Sequence, residues 1–350
     1  MKHPLVSVVI LNYNGENLLR KFMPSVANLA CPNYEVIVVD NASTDESIDF
    51  LRKFYPHFKV IRNEKNYGTA EGSNIGAKYS EGEYIFFMSN DMELDPEILN
   101  YMIRRMEEDP KIGICTCKMR RITERGERLN IIDSVGGELD IFGFPSARGI
   151  NEPDYGQYDY FTEVFFSFGG AMLIRKKVFE EVGGYDSEFF TLADDIDLSW
   201  RVRLLGYKVV VEPKAFLYHR VSATLGTRFG RSFKRFMSEK NTLRMLLKNY
   251  GYLALLFILP GYFLLLLGEI FFFFLIGKPI LSKSGIRAFW WNVKHLSQTL
   301  RKRKEIQARR ILADRKVIKY MRKKSHKFEI FLDFLVNRSS LNWRFYFGET

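Results

Sequence analysis

Four short runs of β-branched and aromatic residues constrain the fold of this chain more than any other feature. They occupy residues 6–11, 35–39, 59–62 and 84–88, and stretches with helical periodicity separate them. Strands that alternate with helices are typical of βαβ units, in which neighbouring strands run parallel in one sheet. Ser43 followed by Glu46 fits a capping box, and Asp95 before Pro96 fits a helix start. The sequence therefore predicts an α/β fold with a parallel sheet.

Beyond residue 90 the pattern is less regular. Residues 120–160 are rich in Gly, Pro, Asp and Tyr and predict a long excursion, whereas residues 165–174 predict an interrupted strand and residues 194–205 a helix. The three cysteines are Cys31, Cys115 and Cys117. Their spacing fits neither a zinc knuckle nor a redox pair, so we predict reduced thiols in a strand and a loop.

Positive charge is concentrated towards the C-terminus. The formal net charge is +11, and residues 278–324 contain sixteen Lys or Arg residues against Glu305 and Asp314. Such a surplus suits nucleic acid or an anionic membrane. The preceding residues 251–277 are apolar with Glu269 as their single charge, and they exceed the roughly 20 residues that cross a bilayer. We therefore predict a membrane surface as a partner, and no nucleic acid as a functional partner.

Three arrangements of residues 251–277 remain open. A single crossing would separate the basic tail from an N-terminal domain that has no signal peptide and should be cytosolic, against the positive-inside tendency. A helical hairpin buried in a soluble domain would have to cover four consecutive phenylalanines. We expect a hairpin, re-entrant or in-plane arrangement, with Pro260-Gly261 interrupting the run and Trp290 and Trp291 at the lipid interface. The predicted location is the cytoplasmic face of the cell membrane, peripheral or anchored through residues 251–277.

A glycine-rich stretch precedes the fourth run. It reads Asn66-Tyr-Gly68-Thr-Ala-Glu-Gly72-Ser-Asn74-Ile-Gly76, and the run that follows ends in Ser89-Asn90-Asp91. Spaced glycines let the backbone amides of a helix start approach a phosphate, and ligands of open α/β sheets sit outside the carboxyl ends of strands. A Gly-rich turn without a ligand is the alternative. The pattern favours a nucleotide-diphosphate site.

Further polar residues follow other predicted strands. Asp40 comes after the second strand, where its carboxylate can accept the imide N–H of uracil or thymine, unless Asp40-Asn41 is simply a strand-ending turn. Asn12 and Tyr13 follow the first strand and can pack against the same base. Three aspartates, at positions 194, 195 and 197, begin a predicted helix. One of them could be an N-cap, but capping needs only one.

Six motifs in this order resemble those of family 2 glycosyltransferases. The resemblance covers roughly residues 4–225, and within the family it is closest to the rhamnosyltransferase-type branch that builds surface polysaccharides. It implies a GT-A fold and inversion at the anomeric carbon. The motifs are residues 8–14, 38–45, 66–76, 89–91, 168–171 and 194–201.

The resemblance also implies roles for individual residues. Asp195 would be the catalytic base, and Asp194, Gly169 and Gly170 would lie on the acceptor side. Asp91 would bind Mg²⁺ or Mn²⁺ with help from His219, although a lone histidine is more often a satisfied polar residue. Ser89 departs from the fuller acidic motif, which makes a modest metal affinity the expectation. The donor nucleotide would contact Asn12, Tyr13, Asp40, Asn66, Gly68, Gly72, Asn74 and Asn90.

These expectations combine into one predicted function. The chain would transfer a hexose or deoxyhexose from a UDP- or dTDP-sugar to a hydroxyl of a glycan or lipid-linked glycan. Residues 1–225 would form the catalytic domain, 226–277 a helical and apolar membrane-associating segment, and 278–350 a basic helical tail. The alternatives are a polyprenyl-phosphate sugar transferase and a non-catalytic, membrane-bound nucleotide-binding scaffold.

Overall fold

The computed structural model describes residues 3–221 and 230–336. These residues form two compact units, one comprising residues 3–137 and 147–221 and the other residues 138–146 and 230–336. The predicted boundary between residues 225 and 226, and the end of the basic tail at 337–350, lie outside the described residues. The first unit contains every predicted site residue.

A mixed β-sheet forms the centre of the first unit. Its strands have the order β10-β12-β6-β11-β4-β1-β2-β3, with β5 on β12 and β7 on β6, while β8 and β9 form a separate pair. The strand bounds are β1 (Val6–Asn12), β2 (Tyr34–Asp40), β3 (Lys59–Arg62), β4 (Tyr84–Ser89), β5 (Met92–Leu94), β6 (Ile112–Ile122), β7 (Arg128–Ser134), β8 (Gly137–Leu139), β9 (Pro145–Ala147), β10 (Thr162–Glu163), β11 (Ala171–Arg175) and β12 (Lys208–His219).

The α/β class is confirmed, but the sheet is not wholly parallel. Strands β1 to β4 pair in parallel as predicted. Strand β11 runs antiparallel to both of its neighbours, β4 and β6. The chain enters β11 from a long irregular segment instead of a helical crossover, so nothing requires it to be parallel. The predicted excursion at 120–160 also contains regular structure, because β6 continues to Ile122 and β7 returns alongside it.

Helices cover the sheet of the first unit. Helix α4 buries Ile98, Leu99, Met102 and Met106, which recur on one side of a helix. Helix α2 begins after the predicted capping box, because Ser43 bonds to Asp40 instead. The helix bounds are α1 (Glu16–Ala27), α2 (Ser47–Phe54), α3 (Gly68–Lys78), α4 (Ile98–Glu108), α5 (Lys176–Glu181) and α6 (Asp194–Leu204).

The second unit is helical apart from the β8–β9 pair, most of whose residues belong to it. Its helix bounds are α7 (Arg231–Asn249), α8 (Tyr252–Leu275), α9 (Pro279–Lys294), α10 (Leu296–Arg309), α11 (Asp314–Val317) and α12 (His326–Val336). By length and composition α8 is able to cross a membrane. The interruption predicted at Pro260-Gly261 is wrong, since α8 is continuous through both residues. The chain turns back after α8, and Ser282 Oγ of α9 donates a 2.8 Å hydrogen bond to the carbonyl of Ile270.

The cysteines are free thiols, all of them buried. Cys115 and Cys117 both lie on β6, and Cys31 lies in the loop before β2. Burial raises the pKa of Cys117 to about 12, so this thiol stays protonated at neutral pH.

Candidate active site

The predicted site residues gather at one edge of the sheet. Asn12 and Asp40 end the parallel strands β1 and β2 opposite each other, and Ser89 ends β4 beside Leu11. Because β11 runs the other way, Gly169 and Gly170 arrive at the same edge just before its first residue, and the amide of Ser89 donates to the carbonyl of Gly170. The strand ends therefore bring together segments more than 150 residues apart in sequence.

A buried polar network occupies the ends of β1, β2 and β4. Asn12 Nδ2 donates to Asp40 Oδ1 at 2.9 Å, and Asn90 Nδ2 donates to Asn12 Oδ1 at 2.9 Å. Asp40 also accepts hydrogen bonds from the amide and hydroxyl of Ser43. Asp40 has no exposed surface. Base recognition by Asp40 stays a prediction, and it requires the Ser43 loop to move. Tyr13 follows directly and is half-buried.

Gly72 and Gly76 of α3 lie against β1, while their contact with phosphate stays a prediction. A Cβ on Gly72 would lie 2.9 Å from Leu11 Cδ2, and one on Gly76 would lie 2.3 Å from Val9 Cγ1. Both glycines therefore let α3 pack closely on β1. At the start of the helix, the amides of Thr69 and Ala70 donate to the carbonyl of Phe190, so they are already satisfied by the protein.

The other predicted donor residues of this stretch also have structural partners. Gly68 has φ of +79°, and a Cβ there would meet the Phe190 carbonyl at 2.2 Å. Asn66 Oδ1 accepts from the Gly68 amide at 2.8 Å, which fixes the turn before α3. Asn74 bonds to both the amide and the carbonyl of Tyr185. In this structure Asn66, Gly68, Gly72 and Asn74 position α3 and the segment around Phe190. Their contact with the donor nucleotide stays a prediction.

Asp91 and His219 do come together. Strand β5 pairs with β12 so that Met92 lies opposite His219, and the amide of Arg220 donates to the carbonyl of Asp91. His219 Nε2 lies 3.7 Å from Asp91 Oδ1. Its other ring nitrogen, Nδ1, lies 2.8 Å from Asp133 Oδ2. Asp133 on β7 was not predicted as a site residue.

His219 and Asp133 shift each other's pKa values. Burial lowers the pKa of His219, but the hydrogen bond to Asp133 and the negative charges of Asp133 and nearby Asp91 outweigh this and raise the pKa to about 10. Burial raises the pKa of Asp133, yet the hydrogen bond and charge of His219 lower it overall. The arrangement therefore stabilises one positive charge between two carboxylates, and a cation bound at His219 Nε2 would take the place of the proton there.

A divalent cation fits this arrangement. Asp91 Oδ1 is buried and has no hydrogen-bond partner among the described residues, and a buried carboxylate oxygen normally has one. Nowhere in residues 3–221 and 230–336 do three or more acidic, histidine or cysteine groups converge as a metal cluster. A cation held by Asp91 and His219 would therefore take its remaining ligands from donor phosphates and water, as Mg²⁺ commonly does.

Asp195 is held at the start of α6. Its Oδ2 accepts from the amide of Gly169 at 2.8 Å, and its Oδ1 accepts from the amide of Ile196 at 2.8 Å. A Cβ on Gly169 would lie 3.2 Å from Asp195 Cβ, which is a tight contact. Gly170 is constrained in the same way by Met92 and Ser89. Gly169 thus allows the carboxylate of Asp195 to approach the β11 edge, and Gly170 allows Met92 and Ser89 to pack against the same edge.

The backbone before Asp195 is strained. Phe190, Leu192 and Ala193 have φ values of 60°, 68° and 61°, and non-glycine residues in this region each cost about 1–3 kcal/mol. The hydrogen bonds that the Phe190 carbonyl accepts from α3 hold this segment in place. Thr69 Oγ1 also donates to Asp194 Oδ2 at 2.8 Å. A hydrogen bond therefore connects α3 directly to the aspartates at the start of α6.

The three aspartates of the cluster have different environments. Burial, followed by the charge of Asp195, raises the pKa of Asp194 to about 7. Burial also raises the pKa of Asp195, although the amides of Gly169 and Ile196 oppose this. Asp197 is fully buried and forms an ion pair with Arg201 at 2.8 Å, so it supports α6 from within. A pair of carboxyls with raised pKa values is typical of proton-transfer sites.

Comparison with known proteins identifies the family. Residues 7–183, half of the chain, match the model described as Glycosyl transferase family 2. The chain belongs to glycosyl transferase family 2. The matched range contains Asn12, Asp40, Asp91 and Gly169 and ends before Asp194.

One curated relative is a poly-beta-1,6-N-acetyl-D-glucosamine synthase from Staphylococcus epidermidis. It is 26% identical over 226 residues, which cover 63% of this chain and 51% of the relative. The family 2 chain thus spans about half the length of this relative.

Two solved structures share the fold. GalNAc-T7 with UDP, GalNAc and Mn²⁺ has a TM-score of 0.56 and 18% identity, with 70% of this chain and 48% of that chain covered. The mannosyltransferase PcManGT from Pyrobaculum calidifontis, in complex with GDP-Man and Mn²⁺, has a TM-score of 0.52 and 15% identity, with 88% and 86% covered. The predicted GT-A fold is confirmed, whereas the rhamnosyltransferase-type branch stays a prediction.

Proposed function

We propose that this family 2 protein transfers a sugar from a nucleotide-diphosphate donor to a hydroxyl acceptor, with inversion at the anomeric carbon. The donor would be a UDP- or dTDP-hexose or deoxyhexose, and the acceptor a glycan or lipid-linked glycan of a surface polysaccharide. The observation that carries this proposal is the fixed Asp195 carboxylate at the sheet edge where Asp91 leaves a buried oxygen unpartnered. One group suits the acceptor and the other the leaving diphosphate.

The chemistry assigns one role to each carboxylate. Asp195 takes the proton of the acceptor hydroxyl, whose oxygen forms a bond to the anomeric carbon as the bond to the diphosphate oxygen breaks. Asp91 and His219 would hold a divalent cation, which would supply positive charge to offset the negative charge of the departing diphosphate. The raised pKa of Asp195 suits a general base near neutral pH. Direct displacement uses no enzyme nucleophile, so the configuration inverts.

Sequence relatives and the second unit support the setting of this reaction. The similar synthase from Staphylococcus epidermidis is named for a polysaccharide product, and surface polysaccharide synthesis is the corresponding proposal here. We place the enzyme at the cytoplasmic face of the membrane, associated through residues 251–277, since α8 is the long apolar helix of the described chain.

A donor panel with matched variants tests the proposal. The purified full chain is incubated with UDP-, dTDP- and GDP-sugars and with glycan, lipid-linked glycan and polyprenyl-phosphate acceptors, in the presence of Mn²⁺, Mg²⁺ or chelator. Product and nucleoside diphosphate are then measured. We expect Asp195→Asn to lower kcat by about 10²–10⁴-fold while donor binding persists. Asp49→Asn, at an exposed aspartate in the first turn of α2, is the control and should retain full activity.

Each alternative predicts a different result. Full turnover by Asp195→Asn would refute its role as base. Nucleotide binding without turnover of any donor would favour a scaffold. Transfer to a polyprenyl phosphate, with no transfer to glycan acceptors, would favour the polyprenyl-phosphate sugar transferase.

A further inference from the structure

The outward side of α8 is an uninterrupted apolar surface. Nine large apolar residues of α8 are each 61–76% exposed: Tyr252, Leu253, Leu256, Phe257, Leu264, Leu267, Phe271, Phe274 and Leu275. Their spacing of three, four and seven residues places them on one side of the helix. We call these nine residues the α8 outer face. An apolar patch of this extent on a folded unit marks an interaction surface.

The inward side of the same helix is packed and charged. Leu255, Ile258, Tyr262, Leu266 and Phe273 are buried. The single charged residue of α8, Glu269, also points inward, where its two carboxylate oxygens accept hydrogen bonds from Arg235 Nη1 of α7 and Lys327 Nζ of α12.

The charged cluster around Glu269 limits how α8 can contact a membrane. Lys327 also pairs with Glu239, which is 3% exposed, so the cluster joins three helices of the unit. If α8 crossed a bilayer as a free span, hydrocarbon would surround both sides of the helix. The cluster would then break or enter the hydrocarbon, and charged groups at the centre of a span are strongly disfavoured. The structure thus offers lipid the outer face alone.

Helix α9 supplies the polar boundary of such a surface. Its exposed apolar residues Ile280, Ile286, Trp290 and Val293 alternate with the exposed cations Lys283, Arg287 and Lys294. Tryptophan and lysine are typical of the headgroup level, and cations near a surface attract anionic lipid. At 16 residues α9 is about 24 Å long, too short to span the hydrocarbon core.

We propose that α8 and α9 lie in the plane of an anionic leaflet, with the α8 outer face among the acyl chains and the α9 cations at the lipid phosphates. This inference deepens the membrane association proposed above. It selects the in-plane arrangement from the hairpin, re-entrant and in-plane arrangements that the sequence predicts. The Glu269 cluster is then the feature that keeps α8 packed on the second unit. Sugar transfer plays no part in the measurement below, so failure of one proposal is distinguishable from failure of the other.

Vesicle flotation of the full chain tests partitioning. The vesicles contain phosphatidylcholine alone or phosphatidylcholine with phosphatidylglycerol at 3:1, without donor or acceptor. We expect at least tenfold stronger binding to the anionic vesicles. Phe257→Glu should reduce that binding at least tenfold, whereas Phe54→Glu should leave it unchanged, because Phe54 is an exposed phenylalanine of the first unit. Absence of binding by the wild type, or equal effects of the two variants, would overturn the proposal.

Site-directed labelling distinguishes lying in the plane from crossing. Arg231→Cys and Glu305→Cys introduce exposed thiols before and after α8, and the described native thiols are buried. A membrane-impermeant maleimide added outside sealed anionic vesicles should label both variants. Protection of one position, released by detergent, would show a crossing and overturn the in-plane arrangement.

Discussion

Asp194→Asn should stabilise this protein at alkaline pH, and the reason lies in the crowding at the start of α6. Asp194 and Asp195 are adjacent carboxyl groups in a protein environment that raises both of their pKa values. Asparagine keeps an oxygen that can accept the 2.8 Å hydrogen bond from Thr69. The substitution therefore removes the charge and preserves the shape.

The sign of the effect follows from the direction of the shift. The pKa of Asp194 rises from 3.8 to about 7 in the folded chain. Between these values the unfolded chain is ionised while the folded chain remains protonated, so stability falls as the pH rises. The full shift corresponds to about 4 kcal/mol at roughly 1.4 kcal/mol per pKa unit. Since Asp194 is partly exposed, solvent screening reduces this to about 2 kcal/mol.

Calorimetry of the full chain measures this difference. For a unit of this size, about 2 kcal/mol corresponds to a rise in Tm of about 4–8 °C, which we expect at pH 8.5 and not at pH 4. Asp197→Asn is the control in the same helix. It breaks the buried pair with Arg201 and should lower Tm at both pH values. An Asp194→Asn effect that does not change with pH would refute the reasoning.

Three further variants test other parts of the structure. Asp133→Asn should weaken Mn²⁺ binding about 10–100-fold, because it removes the partner that orients His219. Electron paramagnetic resonance measures the affinity, with Asp109→Asn as the control. Unchanged Mn²⁺ affinity in Asp133→Asn would contradict the assignment of His219 as a ligand. Gly76→Ala should cost about 1–3 kcal/mol in chemical denaturation, since its Cβ would lie 2.3 Å from Val9, whereas Gly268→Ala, with open space at its Cβ position, should not destabilise. Lys118→Met should cost about 1–3 kcal/mol by removing one of the two cations paired with the buried Asp154 carboxylate, whose other partner is Arg120. A smaller loss in the Lys118→Met/Asp154→Asn double variant would support this cause, and an equal loss would contradict it.

Several features of the site were predictable because local sequence encodes them. The ends of strands β1, β2 and β4 follow from short apolar runs that stop at polar residues, and they place Asn12, Asp40 and Asp91 at one edge. The resemblance to family 2 glycosyltransferases made His219 a candidate partner for the cation, and the pairing of β5 with β12 brings it to Asp91. Asp133 carries no local signal. It lies 86 residues from His219, on a strand within the predicted excursion.

The sequence alone determined the alternation of strands and helices, the family and the residue types at the strand ends, because these depend on neighbours along the chain. Tertiary structure decided what those residues contact. Gly72 and Gly76 let α3 pack closely on β1, because a Cβ at either position would clash with Leu11 or Val9, and the sequence does not show which surface approaches a glycine. The phosphate contact of this stretch stays a prediction. Likewise, an apolar helix can cross a membrane or lie upon it. The partners of Glu269 on α7 and α12 distinguish the two, because a paired charge confines one side of α8 to protein.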